Sequence, residues 1–144
     1  MIREIKENEY HSLLELYLDL HEKKIPNDDE RFRAVWEKTI NDEDHHIIVC
    51  VENDRIVSSC VCVIVPNLTR NLRPYALIEN VVTDKDYRGQ GYASRCLQKA
   101  VEIAQSQNCY KVMLLTGAKD EKTLRFYQKA GFNCDDKTAF IRWL

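Results

Sequence analysis

DYRGQGYAS, residues 86–94, stands between a strand-forming run, Tyr75–Thr83, and an amphipathic one, Tyr92–Gln107. Two glycines, Gly89 and Gly91, sit two apart in a segment that follows a strand and opens a helix. Backbone N–H groups of such a turn, together with the unbonded N–H groups of the first helical turn, make a cradle for an anion. Glycine takes up the positive φ values required and lets a diphosphate come close to the main chain. A pyrophosphate is therefore the expected ligand, with a tight turn that binds nothing as the alternative. A P-loop would need Gly-Lys-Ser/Thr, which is absent. A dinucleotide fingerprint would need a third glycine where Ser94 stands, and an acidic residue closing the next strand, which here reads KVMLLTG.

Working outward, the helix after the turn repeats Ala93, Cys96, Leu97, Ala100, Val101 and Ala104 at the spacing of a half-buried face. Lys111–Leu115 is a short apolar strand of the kind found in a sheet centre. Asp120–Lys129 is a last helix with Leu124, Tyr127 and Ala130 on one side, stopped by Gly131. Phe132–Leu144 is expected to return as one or two strands. On the N-terminal side, Met1–Ile5 alternates as a first strand, and Leu13, Leu16, Tyr17 and Leu20 recur at helical spacing after Asn8 or Glu9. Pro26–Asp29 breaks that pattern and caps a second helix carrying Phe32, Val35, Trp36 and Thr39 on one face. His46–Glu52 and Arg55–Val65 flank Asn53-Asp54, a hairpin signal, and Pro66–Pro74 is a polar loop. The order β-α-α-β-β-β-α-β-α-β(β) predicts one α/β domain with a mixed, mostly antiparallel central sheet and helices on both faces. No repeat or linker divides it.

Composition narrows the class. The chain has 144 residues, an apolar fraction of 44% and a net charge of −2, which suit one ordinary globular domain with scattered charge. No basic stripe marks a nucleic-acid partner, no apolar run approaches a membrane span, and MIREIKENEY lacks the apolar core of a secretion signal. Cytoplasmic residence is the expectation. The six cysteines form no CxxC and read as small buried hydrophobes in a reducing compartment. His45 and His46 are adjacent, so they point to opposite faces of a strand and cannot share an ion; no metal site is expected.

The motifs in this order resemble the GNAT superfamily of N-acetyltransferases. Arg88, Gly91 and Ala93 match its Arg/Gln-x-x-Gly-x-Gly/Ala signature. IENVVTDKDYRGQGYA, the amphipathic helix, CYKVMLL and DEKTLRFYQKAGF then follow in the family's order, over roughly Leu77–Phe132. CYKV followed by a DEK-x-x-x-FY segment is similar to glucosamine 6-phosphate acetyltransferases, across a longer connection, LLTGAKDEK. The first half of the chain, which shapes the acceptor pocket in this family, carries only a compatible pattern.

The resemblance implies a single N-acetyltransferase domain over residues 1–144 with the GNAT-like acyl-CoA fold. It also implies acetyl-CoA as co-substrate, a primary amine of a small molecule as acceptor, and a homodimer, as family members often are. The strand before the glycine turn is expected to splay from the next parallel strand. Main-chain groups of Val81, Val82 and Thr83 would hold the pantetheine arm, and the stretch Arg88, Gly89, Gln90, Gly91, Tyr92, Ala93 and Ser94 the pyrophosphate. Asp120 stands where the family commonly has a pantetheine-contacting Asn. Glu79, at the position of the acid in polyamine acetyltransferases, is the expected general base, with burial tuning it upward. Tyr127, in the Phe-Tyr helix motif, is the expected acid. Arg70 and Arg73 are either a site for an anionic group on the acceptor or solvated loop charges. Acetylation of a protein lysine or N-terminus, and a non-catalytic acetyl-CoA sensor, stay open as alternatives.

Overall fold

A computed structural model describes residues 1–144. The elements are β1 (Ile2–Glu4), α1 (Tyr10–Tyr17), α2 (Glu30–Ile40), β2 (His45–Glu52), β3 (Arg55–Val65), β4 (Tyr75–Thr83), α3 (Tyr92–Ser106), β5 (Val112–Leu114) and α4 (Glu121–Lys129). The strands lie side by side in the order β1-β2-β3-β4-β5, antiparallel up to β4 and parallel between β4 and β5. The parallel pair needs a crossover, and α3 supplies it. This is the mixed, mostly antiparallel sheet that the pattern predicts.

Local chemistry accounts for the element ends. Asn53 and Asp54 both adopt left-handed backbone, φ 49° and 60°, which the two-residue turn between right-twisted strands demands. Asp29 caps α2, its carboxylate accepting from the Phe32 N–H at 2.9 Å. The inward face of α2 is Phe32, Trp36, Thr39 and Ile40; Val35 is exposed, one position off the expected stripe.

Alternation along the strands fills a core on each face of the sheet. On one side Ile48, Cys60, Cys62, Ala76 and Ile78 pack against Cys96, Leu97, Ala100 and Ala104 of α3, with Tyr127 and Phe132 adding partly buried rings. On the other, Ile47, Val49, Val61 and Val82 pack against Leu13 and Leu16 of α1, flanked by Trp36 and Ile40 of α2. Helices thus cover both faces, and no helix is long and apolar enough to cross a membrane.

Two expectations fail together. Residues 133–144 form no strand, and their only local order is a turn in which the Asn133 side chain accepts from the Asp135 and Asp136 N–H groups. A strand exists only through a ladder partner, and no backbone hydrogen bond joins this tail to the sheet. As a result β5 is an edge strand with all three residues partly accessible, not the sheet centre that its composition suggests.

Candidate functional site

The β4–β5 ladder is short. It pairs Ala76 with Val112, Leu77 with Met113 and Ile78 with Leu114, and then stops, while β4 runs on to Thr83. From Glu79 to Thr83 the edge of β4 away from β3 has no strand partner. The expected parting of the two parallel strands is therefore present, and it begins beside Glu79.

A β-bulge sits at the same place. Ser59 pairs with Val82 and Val61 with Glu79, so Cys60 alone stands opposite two residues, Asn80 and Val81. Asn80 carries the extra residue in a left-handed conformation, φ 52°. Because the bulge resets the alternation, Glu79 shares the α1 face with Val61, whereas Val81 packs with the α3 core. The Tyr17 hydroxyl, from the end of α1, lies beside the Asn80 and Ser59 side chains, and burial pushes its pKa up to about 12. An asparagine inside a β-branched run, LIENVV, is the sequence signal for this bulge, since Asn is depleted in strands yet tolerant of left-handed backbone.

Past the strand end, Asp84 anchors the turn. Its buried carboxylate accepts from the Asp86 N–H at 2.9 Å and pairs with Arg55 at 2.8 Å. Arg88 donates from Nε to the Thr83 carbonyl at 3.1 Å, drawing the turn back onto the strand. Ser58 donates to the Val82 carbonyl at 2.9 Å and lies 2.8 Å from the Thr83 hydroxyl, which must then be the donor between them. Ser58, Asp84 and Arg55 escape sequence reasoning, because they reach the turn only through strand pairing.

Gly89 and Gly91 adopt φ 76° and 80°, and Gly91 caps α3 without a side chain. A Cβ at either glycine would meet no protein atom within 4 Å, so the space over the turn is open to a ligand. Arg88, Gly89, Gln90, Gly91 and Ser94 are exposed and Ala93 is partly so. Tyr92 is different. Its ring is buried, edge-on to Tyr87 at 5.9 Å and under the Arg95 guanidinium at 4.5 Å, so only its main chain faces the cradle.

Glu79 is exposed, against the expected burial, because the missing β5 neighbour leaves its edge of the sheet open. Tyr127 belongs to the α3 face, and its hydroxyl has no protein hydrogen-bond partner; burial raises its pKa above the ordinary tyrosine value. Glu79 and Tyr127 therefore belong to opposite faces of the sheet. Asp120 is engaged as the cap of α4, accepting from the Thr123 N–H and hydroxyl, each at 2.9 Å. The N–H bond is the main cause of its lowered pKa. Arg73 donates to the Asn108 and Cys109 carbonyls, and Arg70 stacks over Tyr110 at 5.5 Å. Both tie the loop before β4 to the α3–β5 connection, at the opposite end of β4 from the glycine turn.

Against known proteins, the model of the Acetyltransferase (GNAT) family matches residues 10–132. The chain belongs to that family. A putative acetyltransferase from Agrobacterium tumefaciens str. C58 superposes with a TM-score of 0.90 at 38% identity, covering 99% of each chain. Glucosamine-6-phosphate N-acetyltransferase from Arabidopsis thaliana shares the fold, with a TM-score of 0.85 at 24% identity over 100% of this chain and 97% of that one. In sequence, a glucosamine 6-phosphate N-acetyltransferase of Trypanosoma brucei brucei is 41% identical over 83 residues, 58% of this chain and 54% of that protein. The N-alpha-acetyltransferase 30 of Schizosaccharomyces pombe is 28% identical over 96 residues, 67% of this chain and 62% of that protein. The chain thus spans between about half and two thirds of the length of the curated relatives it matches. For a GNAT domain, the glycine turn, the parted strands and the bulge form one continuous feature along β4.

Proposed function

We propose that this chain transfers the acetyl group of acetyl-CoA to a primary amine of a small molecule, by direct attack with both substrates bound together. One observation carries the proposal: the unpaired edge of β4 leads from Glu79 straight into an open, glycine-lined helix N-terminus. Acetyl-CoA supplies the activated thioester and a pyrophosphate handle. The main chain from Arg88 to Ser94 would hold the pyrophosphate, and the free edge at Val81, Val82 and Thr83 the pantetheine arm. Asp120, occupied as a helix cap, contributes by orienting α4 and hence Tyr127.

An ammonium group must lose a proton before it attacks, and Glu79 Oε takes it directly or through the water that its exposure admits. Main-chain N–H groups along the open edge stabilise the negative charge that builds on the carbonyl oxygen. Tyr127 Oη returns a proton to the departing sulfur. Burial keeps that phenol protonated well beyond neutral pH, as an acid requires.

A small acceptor is supported by the relatives named for glucosamine 6-phosphate. The relatives named for N-alpha-acetylation favour a second acceptor class, a protein N-terminus.

Calorimetric titration with acetyl-CoA, with NADH as control, should give saturable binding of acetyl-CoA alone. CoA release is then measured with glucosamine 6-phosphate, simple amines and short peptides. Glu79→Gln and Tyr127→Phe should each lower kcat about 10²–10⁴-fold with cofactor affinity preserved. Absent acetyl-CoA binding refutes the proposal, and turnover on peptides alone transfers it to the second class.

A further inference from the structure

Strand register places Tyr75, Leu77 and Glu79 of β4 on the α1 face of the sheet, opposite Val65, Val63 and Val61 of β3. Met113 pairs with Leu77 on that face, and Lys111, two residues earlier, joins them there. Val61 and Val63 pack with the α1 core, but Val65, Tyr75, Leu77 and Met113 belong to neither core, and each is partly accessible. They form a strip of open, largely apolar sheet with Glu79 at one end. At the other end stand two cations. The Lys111 ammonium lies 5.1 Å from the centre of the Tyr75 ring and 5.4 Å from that of Tyr110, and the Arg70 guanidinium lies 5.5 Å from the same Tyr110 ring. Neither cation forms an ion pair. Arg73 takes no part, because it is committed to the Asn108 and Cys109 carbonyls. Two like charges drawn onto one ring, with no counter-charge, make a site for an anion.

We propose that the acceptor is a primary amine bearing a carboxylate or phosphate at its far end, laid along this strip with its nitrogen at Glu79 and its anion between Lys111 and Arg70. The inference rests on acetyl transfer with Glu79 as base, and it adds what the acceptor must carry and how long it must be. From Tyr75, the neighbour of Lys111, to Glu79 is four residues of strand, ~13 Å along the sheet. Amine and anion each stop one hydrogen bond short of their partners, which leaves roughly 8 Å between them. The middle of the acceptor crosses Leu77 and Met113, so it needs no charge there. Lys111 and Arg70 differ in duty: Lys111 is held on the sheet beside Tyr75, whereas Arg70 reaches in from the exposed loop.

Matched acceptors of one length test it. CoA release by the full chain with acetyl-CoA is measured on hexylamine, hexane-1,6-diamine, 6-aminohexanoate and 5-aminopentyl phosphate. At least one anionic amine should exceed hexylamine in kcat/KM by roughly 10–100-fold, the worth of a charge-assisted hydrogen bond, and the better of the two identifies the anion. Lys111→Met should remove most of that preference through the acceptor KM. Lys111→Glu should reverse it, so that the diamine becomes the best of the four, a gain that a damaged fold cannot produce. Hexylamine used as well as both anionic amines, a preference that survives both substitutions, or no amine turned over by a chain that binds acetyl-CoA would each overturn the inference. Absent acetyl-CoA binding would instead remove acetyl transfer itself, and the inference with it.

Discussion

Asn80 holds a strand residue at φ 52°, where most side chains crowd the following carbonyl. Replacing it separates conformation from chemistry. Asn80→Gly should keep the bulge and the fold, whereas Asn80→Val should cost about 1–2 kcal/mol in denaturant unfolding and lower kcat by distorting the strand beside Glu79. Loss of kcat in the glycine variant as well would show that the amide side chain, lying against Tyr17, takes part directly. The thiols give a second test at this scale. Burial pushes Cys62 and Cys96 up to about 12 and Cys60 higher still, so none forms thiolate near neutrality. A thiol reagent at pH 8 should label exposed Cys134 first and partly buried Cys109 more slowly, and leave Cys50, Cys60, Cys62 and Cys96 intact until the chain unfolds.

The start of α3 is where element geometry becomes binding geometry. Its cap, Gly91, offers no side chain, so the first N–H groups of the helix remain available to a ligand. Gly91→Ala meets no protein atom in the folded chain, and its structural cost is the left-handed backbone, about 1–2 kcal/mol. The methyl group instead projects into the open space of the cradle. Calorimetry should show acetyl-CoA affinity weakened at least tenfold while the far-UV spectrum holds. Equal affinity in the variant would place the pyrophosphate elsewhere. Asp84 acts on the same turn from below, so Asp84→Ala, which removes both the Arg55 pair and the Asp86 N–H acceptor, should weaken acetyl-CoA binding without touching the ligand.

Over the whole molecule, the two cores bury acidic protons as well as apolar surface. In the unfolded chain, cysteine and tyrosine ionise near pH ~8.5 and ~10. In the folded chain Tyr17, Cys62 and Cys96 hold their protons to about 12, and Cys60 beyond. Between these limits the unfolded state binds fewer protons, so stability falls as pH rises. This contribution is fully present below the unfolded values and is lost on the way to the folded ones. Thermal melts should be flat from pH 7 to 8 and drop steadily above about pH 9; Tyr17→Phe should soften the drop above pH 10. A melting temperature independent of pH up to 11 would contradict the burial of these groups.

The sequence by itself determined what depends on neighbours along the chain. Helix stripes, the Asn53-Asp54 turn, the cap at Asp29 and the positive-φ glycines are local choices of a few residues, and all are legible as spacing and residue type. So is the family, because its glycine turn, helix and Phe-Tyr segment keep a fixed order. Tertiary structure decided what depends on which strands meet. Glu79 is exposed because β5 stops opposite Ile78, and Val81 turns to the α3 face, away from Glu79, because one extra residue at Asn80 resets the alternation. Arg73 is spent on two carbonyls thirty-five and thirty-six residues away. The tail, strand-like in composition, has no ladder within its own chain, since a strand is a property of a pair and a sequence names only one member of it.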